Sequence, residues 1–216
     1  MTVVTVSSTA SKPFSDLYPE IRQMANQVPD VTINRAILYA IRQFCQDSKF
    51  YQKTIVLNQT DTQAVYPLIL AGTTDEVIGI SDVEQDNRPM YPLDQADYSN
   101  SFGGIIRGFQ FEPPNLLVIV PTPSQYKAAG IKARCILQPS EDATTVDESI
   151  YRRWKYTIQS GALSYILSMQ NESWSNYPMA SDQRGLFEDG IHKAFIQRER
   201  GFQPRNLTIK PRSFLP

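Results

Sequence analysis

Few residues in this chain of 216 have the types and spacing that catalysis requires. The chain has a single histidine, His192, although histidine is the commonest general base. Its neighbour Ile191 occupies an apolar position of a predicted helix, so we predict that His192 is a surface or interface residue. The sequence contains no HExxH, CxxC or GxSxG motif and no P-loop. The glycines of FGGIIRGF, residues 102–109, lack the GxGxxG spacing and predict a turn.

Two pairs of adjacent carboxylates are the other candidates for acid–base or metal chemistry. They lie at residues 141–142 and 147–148 in SEDATTVDES, just before a predicted helix. Acidic residues are expected there as solvated charges of a loop and of a first helical turn. Cys45 and Cys135 have apolar neighbours, which is typical of buried free thiols in a reducing compartment. We therefore predict no catalytic residue, no metal, no cofactor and a protein that is not an enzyme.

The charge distribution is uneven and bears on the choice of partner. Residues 198–216 hold five basic residues and one acidic residue, a charge of +4 that leaves −5 for the rest of a chain whose net charge is −1. Phosphate contacts and base stacking would use such a basic segment and the aromatic residues near it. Five cations over this length are nevertheless a weak footprint for nucleic acid. A protein partner with an acidic groove explains the segment equally well.

Helical periodicity is confined to the two ends of the chain. Apolar residues recur at three and four positions over residues 14–28, and a second stripe follows Thr32, a candidate N-cap. Two longer patterns cover residues 147–170 and about 180–203. Gly161 falls in the middle of the third pattern, which predicts the close approach of another helix. We expect these four helices to pack together as one bundle.

Between residues 52 and 142 short β-type runs replace the helical period. We predict one hairpin between KTIVLN and AVYPLIL and another between NLLVIV and IKARCILQ. The expected fold is therefore α+β: a four-helix bundle assembled from both chain ends, an inserted small antiparallel β-sandwich or barrel, and an extended C-terminal arm. We predict that the chain divides into an N-terminal arm 1–13, a helical domain 14–51 and 146–203, a β domain 52–145 and a C-terminal arm 204–216.

Four stretches of the chain share their order and spacing with a known family. They are AILYAIRQFCQDSKFYQKTIVL (36–57), AVYPLIL (64–70), PPNLLVIVPTP (113–123) and YRRWKYTIQSGALSYILSMQNESWSNYPMA (151–180). With these stretches the chain resembles the head-to-tail adaptor, or connector, proteins of tailed bacteriophages. None of the four is a catalytic signature, and the first fourteen residues match nothing in that pattern.

The resemblance implies a structural role in the virion neck, between capsid portal and tail, after assembly in the host cytoplasm. Members of that family form a homo-oligomeric ring, commonly of about twelve subunits, that closes by rotation. The ring docks on the portal protein, extends the channel through which double-stranded DNA passes without sequence-specific binding, and offers an attachment surface to tail or nozzle proteins. The implied portal-binding arm comprises Arg205, Leu207, Ile209, Lys210, Arg212, Phe214 and Leu215.

Two other groups of residues are candidate contacts in such a ring. Arg152, Arg153 and Lys155 on the third helix either pair with a neighbouring subunit, line the channel, or form a solvated helix face. Tyr126 and Lys127 lie in the loop 122–130 and are candidates for a tail-facing contact. No segment has the roughly 18 consecutive apolar residues of a membrane span, and the N-terminus does not have the pattern of an export signal, so we expect no membrane contact.

A second hypothesis keeps the protein non-enzymatic but gives it a different role. In it the β domain is a binding module for a ligand, a carbohydrate or a nucleic acid. That role predicts exposed aromatic side chains clustered on one face of the sheet or in one loop. The candidates are Tyr91, Tyr98, Phe102, Phe109 and Tyr126, although strand alternation places some of them in the core.

Overall fold

The protein was described from a computed structural model, which covers residues 10–70, 75–93 and 108–201. A 3-10 turn at Phe14–Leu17 precedes the first helix. The helices are α1 (Tyr18–Met24), α2 (Asp30–Ser48), α3 (Glu148–Leu167) and α4 (Tyr177–Glu199). The strands are β1 (Ser11–Pro13), β2 (Gln52–Gln59), β3 (Val65–Pro67), β4 (Asp75–Gln85), β5 (Arg88–Pro92), β6 (Gly108–Glu112), β7 (Leu116–Val120), β8 (Lys127–Pro139) and β9 (Thr145–Asp147).

Local signals fix the ends of the long helices. Pro29 precedes α2, which begins two residues before the predicted cap Thr32 and ends at Lys49 in the left-handed conformation, with φ 50°. The side chain of Asp147 caps α3 by accepting a hydrogen bond from Ser149 N. Asn176 caps α4 in the same manner. The helical periods of the sequence therefore located the long helices to within a few residues.

The predicted four-helix bundle is wrong. The pattern over residues 14–28 forms a 3-10 turn and then only seven residues of α-helix, which is too short to be a full partner for helices of 19 to 23 residues. The other three helices contact one another, but α2 also packs on β8. Arg42 Nη1 donates to Pro139 O at 2.9 Å across that contact. The helices thus form a layer against the sheet instead of a bundle with a core of its own.

The predicted β-sandwich is replaced by one seven-stranded sheet in the order β2-β8-β4-β5-β6-β7-β3. All neighbours in this order are antiparallel except β5 and β6, which are parallel. Both predicted hairpins are also wrong: β2 pairs with β8, and β7 pairs with β6 and β3. The hairpin that does form joins β4 to β5 through Asp86 and Asn87, which both have positive φ as its tight turn requires.

The two edge strands of this sheet approach each other near the end of β2. The buried hydroxyl of Tyr66 in β3 accepts a hydrogen bond from Thr60 N at 3.2 Å, just beyond β2. Thr62 N donates to Pro123 O at 2.9 Å in the same region. The sheet is therefore curled towards closure, and its inward side chains form one continuous apolar cluster with those of the helices.

The ends of the chain are only partly described. Within the predicted N-terminal arm, β1 forms a two-stranded ladder with β9 immediately before α3. Residues 1–9, 71–74, 94–107 and 202–216 lie outside the described residues, and with them most of the turn predicted at 102–109 and the whole C-terminal arm 204–216. The last described residue is Gly201, just beyond α4.

Candidate partner-binding surfaces

The single histidine and the two cysteines first considered for catalysis lie on three different elements, α4, α2 and β8. His192 is exposed on α4. Cys45 and Cys135 are buried free thiols, and burial raises the pKa of Cys135 to about 12, so this thiol is not ionised near neutral pH. The part of the chain that the structure describes contains no group of three or more metal-ligating side chains. None of its helices is long and apolar enough to cross a membrane.

A largely buried ionic network joins Lys53 and Tyr51 to the carboxylates of Asp75 and Asp147. Lys53 Nζ lies 3.3 Å from Asp147 Oδ2 and 3.7 Å from Asp75 Oδ2. The Tyr51 hydroxyl lies 2.7 Å from Asp75 Oδ2 and 3.1 Å from Asp147 Oδ2. The side chain of Asp147 is 6% exposed, so the prediction that all four carboxylates at 141–142 and 147–148 are solvated is wrong for this residue.

The protonation states of this network suit a structural role better than catalysis. Burial, followed by the charge of Asp75, raises the pKa of the Tyr51 hydroxyl, which therefore stays protonated and donates a hydrogen bond. Burial alone would raise the pKa of Asp147, but hydrogen bonds from Ser149 and the charge of Lys53 outweigh it and lower that pKa. The network joins β2, β4 and the start of α3, and so fastens the helical layer to the sheet.

The predicted tail-facing residues lie at one end of the sheet, where β8 begins at Lys127. We define the sheet tip as residues 59–62, 86–87 and 121–130, three segments of loops and strand ends that meet there. Tyr126 is 66% exposed at this tip. Lys127 Nζ forms an ion pair of 2.7 Å with Asp86 Oδ1, so it links two of the loops. An exposed tyrosine on a fixed support is a favourable contact for a protein partner because little side-chain entropy is lost on binding.

Buried amides hold the sheet tip in place. Gln85 Nε2 donates to Gln59 Oε1 at 3.2 Å, and Gln59 Nε2 donates to Gln125 O at 3.0 Å, one residue before Tyr126. Both glutamines are buried. A Cβ at Gly130 would stand 2.9 Å from Gln59 Cβ, so glycine permits the close approach of the strands. The tip is therefore a braced surface.

The three basic residues predicted as ring or channel contacts point to different neighbours. Arg152 Nη2 forms an ion pair of 2.8 Å with Glu148 on its own helix. Lys155 Nζ lies 4.0 Å from Glu20 Oε1 and over the Tyr156 ring. Arg153 lines a cleft that contains Arg134 and Arg198. The structure thus assigns Arg153, but not the other two, to a group of cations from several elements.

The predicted portal-binding residues from Arg205 to Leu215 all lie outside the described residues. Their point of attachment is nonetheless described, because α4 ends at Glu199. Arg198 and Glu199 line a cleft with Arg134 and Gln52 on the outer face of the sheet. We call the segment from Arg198 to Gly201 the arm root. Lys127 at the sheet tip and Arg134 beside the arm root are seven residues apart on β8, or about 23 Å of extended strand.

A second aromatic surface lies between α2, α3 and α4. Tyr39, Tyr165 and Tyr177 line a cleft of about 350 Å³. The ring centroids of Tyr39 and Tyr165 are 5.3 Å apart, and Tyr39 and Tyr177 are both more than half exposed. Tyrosine is enriched in protein interfaces, which makes this tyrosine cleft a candidate contact with another chain. Sequence periodicity did not identify it, because its tyrosines come from three separate helices.

The aromatic residues of the binding-module hypothesis do not form one described cluster. Phe109 is buried in the core, whereas Tyr91 and Tyr126 are exposed on different elements. Tyr98 and Phe102 lie outside the described residues. Comparison of the whole chain with protein-family models finds no match, and comparison with curated proteins finds none either.

Proposed function

We propose that this chain is a non-enzymatic structural protein of a tailed-phage virion, a head-to-tail adaptor that assembles into a ring on the portal. The ring would extend the DNA channel and give tail proteins their attachment surface. The proposal is supported by the resemblance of four stretches to that family. In the structure these stretches correspond to α2 with β2, to β3, to β7, and to α3 with the start of α4.

One observation carries the proposal: two surfaces suited to protein contacts lie seven residues of β8 apart, or about 23 Å of extended strand. The sheet tip presents Tyr126 on a braced support. The arm root lies beside Arg134, in the middle of β8, and leads into a proline-containing basic segment, residues 202–216. An adaptor must bind one partner on each side, and this arrangement provides a separate surface for each. We assign the arm to the portal and the tip to the tail.

The ring itself requires heterologous contacts, in which two different surfaces of each subunit meet. The tyrosine cleft on the helical layer offers exposed aromatic area for one side of such a contact. Arg152, Arg153 and Lys155 lie on α3 of the same layer and remain candidates for ring or channel contacts. DNA passage through the channel needs no base-specific site, in keeping with the weak basic footprint of the sequence.

Co-sedimentation with the portal protein of the same phage tests the proposal. The full chain is expected to sediment with portal, whereas a chain lacking residues 204–216 is expected to stay in the supernatant. Tyr126→Ala is the matched control, because it changes a surface separated from the arm root along β8 and should leave portal binding intact. Failure of the full chain to sediment with the portal protein at any ionic strength would contradict the proposal.

A further inference from the structure

Three adjoining clefts form a groove on the outer face of the sheet that neither the tip nor the tyrosine cleft includes. Their volumes are about 440, 410 and 450 Å³. The first and second share Gln52, Arg134 and Arg198, and the second and third share Lys49, Ile80 and Ile136. We call this continuous surface the outer groove. It runs beneath the ends of α2 and α4.

One end of the outer groove is apolar. Ile78, Ile80 and Ile136 line it together with Gly79. Ile78 and Ile80 are only half-buried, although they belong to a central strand of the sheet. A Cβ at Gly79 would meet only Ile136 Cδ1, at 3.7 Å, so the floor there is open. This end can take an aliphatic side chain from a ligand.

The other end of the outer groove is cationic. Arg134 comes from β8, Arg153 from α3 and Arg198 from α4, so three elements converge there. Arg134 lies 3.2 Å from Asp82, and Arg198 contacts Glu199.

The groove as a whole carries an excess of positive charge. Lys49 adds a fourth cation and makes no ion pair among the residues that the structure describes. Asp82 and Glu199 are the two carboxylates along the described lining. The Arg134–Asp82 pair is more than half exposed and is therefore weak enough to open for a ligand.

From this arrangement we propose that the outer groove binds an extended acidic segment of another protein, with carboxylates at the arginines and an aliphatic side chain at the isoleucines. Arginine favours this ligand because its planar guanidinium pairs with carboxylates in a bidentate manner. The chain's own residues 202–216 begin beside the groove but contain three basic residues and no acidic one, so their charge opposes binding there. A nucleic-acid backbone would need cations along its whole track, whereas here one end is aliphatic.

Two substitutions test the two ends of the groove independently. Gly79→Leu fills the apolar end without removing a charge, and its matched control is Gly185→Leu, where an added Cβ meets nothing within 4 Å. Arg134→Glu reverses charge at the cationic end, and its matched control is Arg184→Glu, another exposed arginine paired with a carboxylate, Glu188 at 2.9 Å. Thermal melting confirms that each variant is folded before binding is measured.

The probe is a short fluorescein-labelled peptide with glutamates at one end and leucines at the other, followed by fluorescence anisotropy at low salt. Binding to the full chain is expected to weaken roughly tenfold or more in Gly79→Leu and in Arg134→Glu, because each removes one of the two contacts. Both control variants should bind like the parent. If Gly79→Leu fails to fold, Arg134→Glu and its control decide the question alone.

Four results would overturn the inference: no binding of the acidic peptide to the full chain, binding that both groove variants leave unchanged, equal binding of a peptide with lysines in place of glutamates, or preferred binding of a DNA duplex. Deletion of residues 202–216 provides a further arm. Peptide binding that occurs only after this deletion would show that the chain's own arm is the occupant. The inference does not depend on the proposed head-to-tail role, so the two can fail separately.

Discussion

Asp147 acts in two ways at one position, as the cap of α3 and as an ion partner of Lys53. Its Oδ1 accepts a hydrogen bond from Ser149 N at 2.9 Å, while its Oδ2 lies 3.3 Å from Lys53 Nζ. An acidic charge beside the first turn of α3 was predicted from the sequence. The ionic role was not, because Lys53 is distant in sequence and only the sheet brings it close.

Loss of the Asp147 carboxylate should therefore destabilise the fold more than loss of a cap alone. We expect Asp147→Ala to lower the free energy of unfolding by about 2 to 3 kcal/mol near neutral pH, because α3 loses its cap and Lys53 loses one of its two carboxylate partners. Asp147→Asn keeps a capping oxygen and should cost less. Urea unfolding monitored by circular dichroism measures both values.

The pH dependence of this loss in unfolding free energy distinguishes the effect of the Asp147 charge from the effect of the side chain's shape. The pKa of Asp147 is lowered in the folded state, so its charge stabilises the fold above the unfolded value of about 3.9 and stops doing so as pH falls through the folded value. The difference in stability between the parent and Asp147→Ala should therefore narrow below about pH 4. A difference that stays constant over this range would show that the negative charge of Asp147 adds nothing to the stability of the fold.

Among the elements, three helices meet at one glycine. A Cβ at Gly161 of α3 would stand 2.8 Å from the Phe187 ring of α4 and 2.9 Å from Ala40 Cβ of α2. The sequence predicted this close approach from a glycine placed mid-helix. It did not predict which helices approach, because a helical period identifies an apolar face but not its partner.

Alanine at two helical glycines should have opposite effects. Gly161→Ala improves helix propensity, but the added methyl group pushes α2 and α4 away from α3. We therefore expect a net loss of roughly 1 to 3 kcal/mol in unfolding free energy. Gly185→Ala adds a Cβ that meets nothing within 4 Å and should stabilise α4 by roughly 0.5 to 1 kcal/mol. Chemical denaturation of both proteins checks the signs. A stabilised Gly161→Ala protein would mean that the helices pack more loosely than described.

The sequence predicted the positions of the strands but not their pairing. Their positions were predictable from β-branched runs, as β7 at Leu116–Val120 illustrates. Their partners were not, because β2 pairs with β8 and β3 pairs with β7, far along the chain in both cases. Strands that follow each other in sequence often pair as hairpins, but this is only a tendency. Here the long β8 pairs with β2 on one side and with β4 on the other. The sheet tip and the outer groove depend on these long-range pairings.

At the scale of the whole molecule, the sheet tip and the arm root are separated surfaces on one scaffold. Because the tip is supported by Gln59 and Gln85 and not by Tyr126, removal of this exposed ring should leave the fold intact. We expect Tyr126→Ala to change the melting temperature little while reducing attachment of tail proteins to portal-bound rings. Lys127→Ala breaks the ion pair with Asp86 and serves as a second probe of the same tip. Normal tail joining by the double variant would remove the tip from the proposed interface.

Electron microscopy of the purified protein mixed with the portal of the same phage tests the adaptor proposal most directly. The proposal predicts rings of this protein seated on the portal, with the arm root towards the portal and the Tyr126 tip away from it. The rings should disappear when residues 204–216 are deleted. A monomer in solution without portal is compatible with this, since portal binding can drive assembly. A full chain that forms no ring on the portal, or one whose tip faces the portal, would contradict the account.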